Sequence, residues 1–170
     1  MADYIQRKRK ELFLFGEQLS VLDVRCFYYL KKELGGSVRN PNQLLYDTGK
    51  GAVQKIQSCF IKFLGDSAVV LMSDPKTALN ELVEVLEYLG LGEISISEFT
   101  PETIKFIVRH SAEAQGYVNL KEKSKIPVCY ALAGIFAGAC EGIFGNPVVC
   151  REVSCIACGD GVCEFVIQRS

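Results

Sequence analysis

The chain has no positive charge to spare: 19 Lys and Arg stand against 20 Asp and Glu in 170 residues, a formal net charge of -1. Nucleic-acid binders neutralise phosphates with surplus basic side chains, so this balance excludes that class. Only Arg7-Lys8-Arg9-Lys10 is a basic run, and four like charges read as a solvated terminal face. A secretory signal is also absent, because Glu11 and Glu17 flank the short apolar stretch Leu12 to Phe15. A cytoplasmic location is therefore expected. There is no tryptophan, and His110 is the single histidine, read as a solvated residue at a strand end. Dinucleotide chemistry lacks its signature, since no Gly-x-Gly-x-x-Gly follows a strand. The one long apolar stretch, Ile126 to Phe144, carries Glu141 and many small residues, which favours a buried helix over a membrane span.

What the chain does have is a 49% hydrophobic composition, enough for one domain with a real core. Residues 1–170 are read as that single domain, with 1–10 expected to be flexible. Leu12 to Phe15 reads as a short strand. Ser20 would cap a helix over Val21 to Leu34, stopped by Gly35-Gly36. Asn40-Pro41 opens a second helix with Leu45, Val53, Ile56, Phe60 and Leu64 on its inner face, and Gly49 and Gly51 inside it signal close helix packing. Ser73-Asp74-Pro75 begins a third helix that runs to Leu89. Glu93 to Phe99 and Thr103 to Arg109 alternate as the strands of an antiparallel hairpin, with Ile104, Phe106 and Val108 turned inward. In the apolar helix, Ala131, Gly134, Gly138 and Gly142 form a strip that lets a sheet or a partner subunit approach closely. Two last strands, Val148 to Ala157 and Val162 to Gln168, meet at the turn Gly159-Asp160-Gly161. The fold class is α+β: an antiparallel sheet packed against helices in two layers.

The chain holds eight cysteines. In a reducing compartment such a number favours metal binding or buried thiols over disulfides. Glu152, Cys155 and Cys163 stand in a Glu-x2-Cys-x7-Cys array, and Cys129 lies upstream at the mouth of the apolar helix. Three thiolates and one carboxylate fill a tetrahedral zinc shell and leave no open position for a reactive water. Hairpin geometry brings Cys155 near Cys163, while Glu152 lies about 10 Å before Cys155 at a strand rise of 3.3 Å per residue. That odd spacing puts the two on opposite faces of a flat strand, so a shared metal requires a bulge between them. Rival sets replace Glu152 with Cys158 or Cys150, pair Cys155 with Cys158 as a redox couple, or leave every cysteine a plain buried thiol. Cys26, Cys59 and Cys140 read as small buried hydrophobes.

Pro127-Val128-Cys129, the helix Ala133-Gly134-Ile135-Phe136-Ala137-Gly138 and the run Glu152-Val153-Ser154-Cys155-Ile156-Ala157-Cys158-Gly159-Asp160-Gly161-Val162-Cys163-Glu164-Phe165 resemble the 4-vinyl reductase domain family. Tyr46-Asp47-Thr48-Gly49-Lys50-Gly51, Leu89-Gly90-Leu91-Gly92 and His110-Ser111 extend the resemblance backward. It implies an α+β fold shared with the sensing domains of aromatic-responsive activators and related to vesicle-tethering subunits that bury an acyl chain. By this resemblance Cys129, Glu152, Cys155 and Cys163 would hold a structural zinc, and Phe106, Val108, Ala133 and Cys150 would line a ligand pocket beside it. The sensors' pocket uses a Trp and a His to bind a phenolic hydroxyl. Here there is no Trp and His110 falls elsewhere, so a more apolar ligand is expected, with a hydrocarbon preferred to phenol.

The resulting expectation is a zinc-stapled, homodimeric sensor or carrier domain for a hydrophobic or aromatic small molecule, with any output passed to a partner protein and no catalysis. The activators carry an ATPase and a DNA-binding region after this module; neither is in these residues, so direct transcription control is not expected. The alternative is a reductase or accessory protein acting on a vinyl group of a tetrapyrrole, which would need a hydride source.

Overall fold

A computed structural model describes residues 5–8, 11–15, 17–20 and 22–168. Three short strands, β1 (Ile5–Lys8), β2 (Glu11–Leu14) and β3 (Glu17–Leu19), form an antiparallel sheet at the start of the chain. The expected strand near Leu12 is thus present. Of the run expected to be flexible, residues 1–4, 9 and 10 lie outside the described residues, as does Val21.

Helix α1 (Arg25–Ser37) contains Gly35 and Gly36 instead of ending at them, and its N-cap is Val24, with no side-chain cap. Both glycines face open space, so the helix runs on until Val38 turns extended ahead of the Asn40-Pro41 start signal. Helix α2 (Pro41–Leu64) begins where the sequence predicts. Asn40 Oδ1 accepts from the Gln43 N–H at 3.2 Å, and Pro41 occupies a first-turn position where a missing N–H costs nothing. The helix ends at Gly65, whose φ of 57° favours glycine. A short α3 (Ser67–Met72) follows, and α4 (Pro75–Tyr88) starts at Asp74, whose carboxylate accepts from the Lys76 N–H at 3.2 Å.

The main sheet has the order β4-β5-β7-β6, antiparallel throughout, built from β4 (Glu93–Phe99), β5 (Thr103–Arg109), β6 (Val149–Ser154) and β7 (Cys163–Gln168). Ile104, Phe106 and Val108 are fully buried, as the alternation requires. Helices α5 (Ala112–Asn119) and α6 (Tyr130–Phe144) connect the two hairpins. The core centres on Phe136 of α6, which stacks on Phe106 at 4.1 Å and meets Phe165 edge-on at 5.1 Å.

The strip of small residues on α6 does close-pack against a backbone, but the neighbour is α2, not a sheet or a second subunit. A Cβ on Gly134 would collide with the Tyr46 carbonyl, one on Gly138 would come within 2.7 Å of Lys50 O, and one on Gly49 would collide with the Ala131 carbonyl. Beside this contact Lys50 Nζ donates to Glu141 Oε1 at 2.7 Å. No helix among the described residues is long and apolar enough to cross a membrane.

Candidate metal centre

The site forms where α6 begins and the last hairpin turns. Glu152 sits on β6, and the pairing of β6 with β7 shifts register between Glu152 and Ser154. This is the irregularity that the odd Glu152-to-Cys155 spacing demands. β6 stops at Ser154 instead of continuing to Ala157, because Cys155 opens a 3-10 turn over Ile156–Cys158. Within the turn the Cys158 N–H donates to Cys155 O at 2.9 Å, the Cys155 N–H donates to Asp160 Oδ2 at 2.7 Å, and Gly159 has a φ of 106°. The Ile156 N–H points at Cys163 Sγ, 3.4 Å away. An N–H directed at sulfur stabilises a thiolate.

Cys129 is the N-cap residue of α6. Its side chain caps nothing. The orphan N–H groups of the first turn are met by carboxylates from elsewhere: Glu152 Oε2 accepts from the Cys129 N–H at 2.8 Å, and Glu113 accepts from the Leu132 and Ala131 N–H groups at 2.6 and 3.2 Å.

The ligand atoms of Cys129, Glu152, Cys155 and Cys163 all lie within 4.8 Å of one another. Cys129 Sγ is 3.8 Å from Cys163 Sγ and 3.2 Å from the Ser111 hydroxyl. All three cysteines are fully buried. Burial raises the Cys129 thiol, whereas Cys155 is lowered, first by the hydrogen bond from Cys129 and then by that from Cys163. Burial, followed by the charge of Cys155, pushes Glu152 up to about 7. Burial likewise pushes Glu113 up to about 8, against the hydrogen bonds from Leu132 and Ala131.

These residues fit a metal ion. Glu152 Oε1 is buried without a hydrogen-bond partner among the described residues. A buried carboxylate oxygen with no partner is costly unless something positive meets it, and a thiol-rich cluster around it supplies donors that a soft divalent cation deprotonates on binding. Cys158 and Cys150, the rival ligands, are not in this group, and neither are Cys26, Cys59 and Cys140.

A cleft of about 440 Å³ opens beside the cluster, with Tyr46, Cys129, Tyr130, Ala133, Cys150 and Glu152 in its walls. Of the expected pocket residues, Ala133 and Cys150 therefore face it. Phe106 and Val108 lie in the core and do not line it. His110, exposed and with a φ of 56°, is not part of either site. The sequence reading missed Ser111, Glu113, Asp160 and Tyr46. Asp160 was visible as a turn residue; the others act through contacts 18 to 104 positions away that no local pattern reveals.

The stretch that carries this cluster also identifies its relatives. Residues 104–169 match the 4-vinyl reductase domain. The match runs from β5 through β7 and includes all members of the cluster. Two uncharacterized proteins of Methanocaldococcus jannaschii are similar in sequence. One is 25% identical over 167 residues, 96% of this chain and 60% of its own length; the other is 48% identical over 42 residues, 25% of this chain and 23% of its own length. The chain thus spans less than two thirds of either relative. In fold the chain is similar to the phenol-responsive sensory domain of the transcription activator PoxR with phenol, at a TM-score of 0.76 and 16% identity over 98% of this chain and 85% of that one. It is also similar to a vinyl-4-reductase family protein from Methanocaldococcus jannaschii, at 0.59 and 18% over 92% and 86%. A trafficking protein particle complex subunit 3 from Naegleria fowleri, covalently bound to palmitic acid, gives 0.60 and 14% over 85% and 91%. At these identities the likeness to the solved structures is one of fold.

Proposed function

We propose that the chain is a small-molecule-binding sensor or carrier domain, held together by a structural zinc ion and taking a hydrophobic or aromatic ligand in the adjoining cleft. The observation that carries this reading is the convergence of Cys129, Glu152, Cys155 and Cys163 on one point, with Glu152 Oε1 otherwise unpartnered. Thiolate-rich sets select zinc among the divalent ions, and four protein ligands leave no coordination position for a reacting water. The zinc would therefore staple the start of α6 to the last hairpin and perform no chemistry. The fold is shared with a sensory domain bound to phenol and with a subunit carrying palmitic acid, which supports an apolar cargo.

Ala133 and Cys150 would touch the ligand directly; Phe106 and Val108 would meet only a ligand that enters past Phe136. A homodimer is part of the proposal, motivated by the apolar surface at Val69 and Val70, which are 76% and 75% exposed. A cytoplasmic setting agrees with the free thiols.

Binding of 2-ethylnaphthalene to the zinc-loaded protein, followed by ligand-observed NMR, tests the cleft. Saturable binding that is lost in Ala133→Phe is the expected result. An Ala133→Phe protein that binds unchanged would remove the cleft from the account.

A further inference from the structure

The sequence reading expects a ligand pocket stripped of polar anchors, yet the cleft contains one. Tyr46, on α2, reaches the edge of β6 and its hydroxyl oxygen accepts from the Cys150 N–H at 3.1 Å. An acceptor used in this way leaves the phenolic proton unspent, and no described residue accepts it. Burial raises the Tyr46 hydroxyl above its ordinary value, so the group is a neutral donor at physiological pH. The strand and the helix fix its place. Tyr46 O lies against the position of a Gly134 Cβ, so the close α2–α6 contact sets the backbone from which the ring projects. The hydroxyl stands beside Cys150, which with Ala133 and Val149 gives the cleft an apolar surface.

We infer that Tyr46 is the specificity-determining anchor of this cleft, and that its hydroxyl donates to a carbonyl or comparable oxygen on an otherwise apolar, uncharged ligand. The inference rests on the proposed small-molecule reading and narrows it. The need for an acceptor on the ligand follows from the direction of the Cys150-to-Tyr46 bond, which leaves the phenolic proton as the group free to meet it. The lack of ligand charge follows from the wall opposite, where Glu152 and the thiols of the cluster disfavour an anion. The volume, about 440 Å³, falls in the range of ordinary ligand sites.

Three probes of similar shape separate the alternatives: 2-acetonaphthone supplies an acceptor, 2-ethylnaphthalene lacks it and 2-naphthoate is an anion. Each is titrated into zinc-loaded wild type and zinc-loaded Tyr46→Phe protein. A hydrogen bond of ordinary net strength predicts that wild type binds the ketone about tenfold more tightly than the hydrocarbon. In Tyr46→Phe that preference vanishes through loss of ketone affinity, with hydrocarbon binding retained within about twofold and zinc content unchanged. The retained hydrocarbon affinity is the readout that a merely structural role for the Tyr46–Cys150 bond would not give. Equal binding of ketone and hydrocarbon by wild type, a parallel loss of both in Tyr46→Phe, or tightest binding of 2-naphthoate would overturn the inference and leave a small-molecule site standing. Failure of all three probes to bind wild type would overturn the small-molecule reading and this inference with it.

Discussion

At Glu152 one oxygen caps the start of α6 through the Cys129 N–H while the other is buried without a partner. A residue so placed serves both the helix and the thiol cluster, and its neighbours share the load. Substituting Cys163 by Ser removes one donor from the group of four, so Cys163→Ser should reduce metal content sharply, by elemental analysis, and lower the melting temperature. Retention of full metal content would exclude Cys163 as a ligand. Glu113 gives a separate prediction on pH. Its folded value of about 8 lies above its ordinary 4.5, so between those values the native state binds more protons than the unfolded chain. The stabilisation is complete below about 4.5 and is lost as pH rises through about 8. Thermal stability of the metal-free protein should therefore decline across that window. Glu113→Gln, which keeps an acceptor for the Leu132 N–H, should flatten the decline. An unchanged pH profile in the variant would assign the dependence to other groups.

The contact between α2 and α6 depends on glycines that the sequence shows but does not rank. Gly49 and Gly134 each meet a carbonyl of the other helix, whereas Gly51, two residues from Gly49, faces open space. Gly134→Ala should cost roughly 1 to 3 kcal/mol by forcing the helices apart. Gly51→Ala should instead stabilise by about 0.5 to 1 kcal/mol, since it only removes backbone freedom from a helix interior. Chemical denaturation of the two variants checks both signs. Elements with strong periodicity were legible: α2, α4, α6 and the β4–β5 hairpin all fall within a few residues of their sequence expectations. α5 was not, because its buried side consists of Ala112, Glu113, Ala114 and Gly116, with no large apolar stripe to show the helical period. α3 was missed for the opposite reason: Val69 and Val70 are apolar but exposed, so hydrophobicity there carries no information about which face packs. The end of β6 was misplaced because Cys155 makes turn bonds to Asp160 that outweigh the strand propensity of the residues around it.

For the whole molecule, the metal site was the most legible part, since the hairpin itself brings its cysteines together and a bulge was the only distortion that the spacing needed. The cleft was the least legible. Tyr46 and Cys150 are 104 positions apart and meet only after α2 has packed on α6 and β6 has joined the sheet. Core residues also misled: Phe106 alternates inward as a pocket residue would, but Phe136 fills the space against it. The central claim is that one zinc ion per chain ties the start of α6 to the last hairpin, and that without it the fold weakens. Native mass spectrometry of purified protein before and after chelation, paired with a melting curve of each sample, tests this most directly. The account predicts one zinc per chain before chelation and a markedly lower melting temperature after verified removal; protein that purifies free of zinc, or that melts unchanged once the zinc is gone, would contradict it.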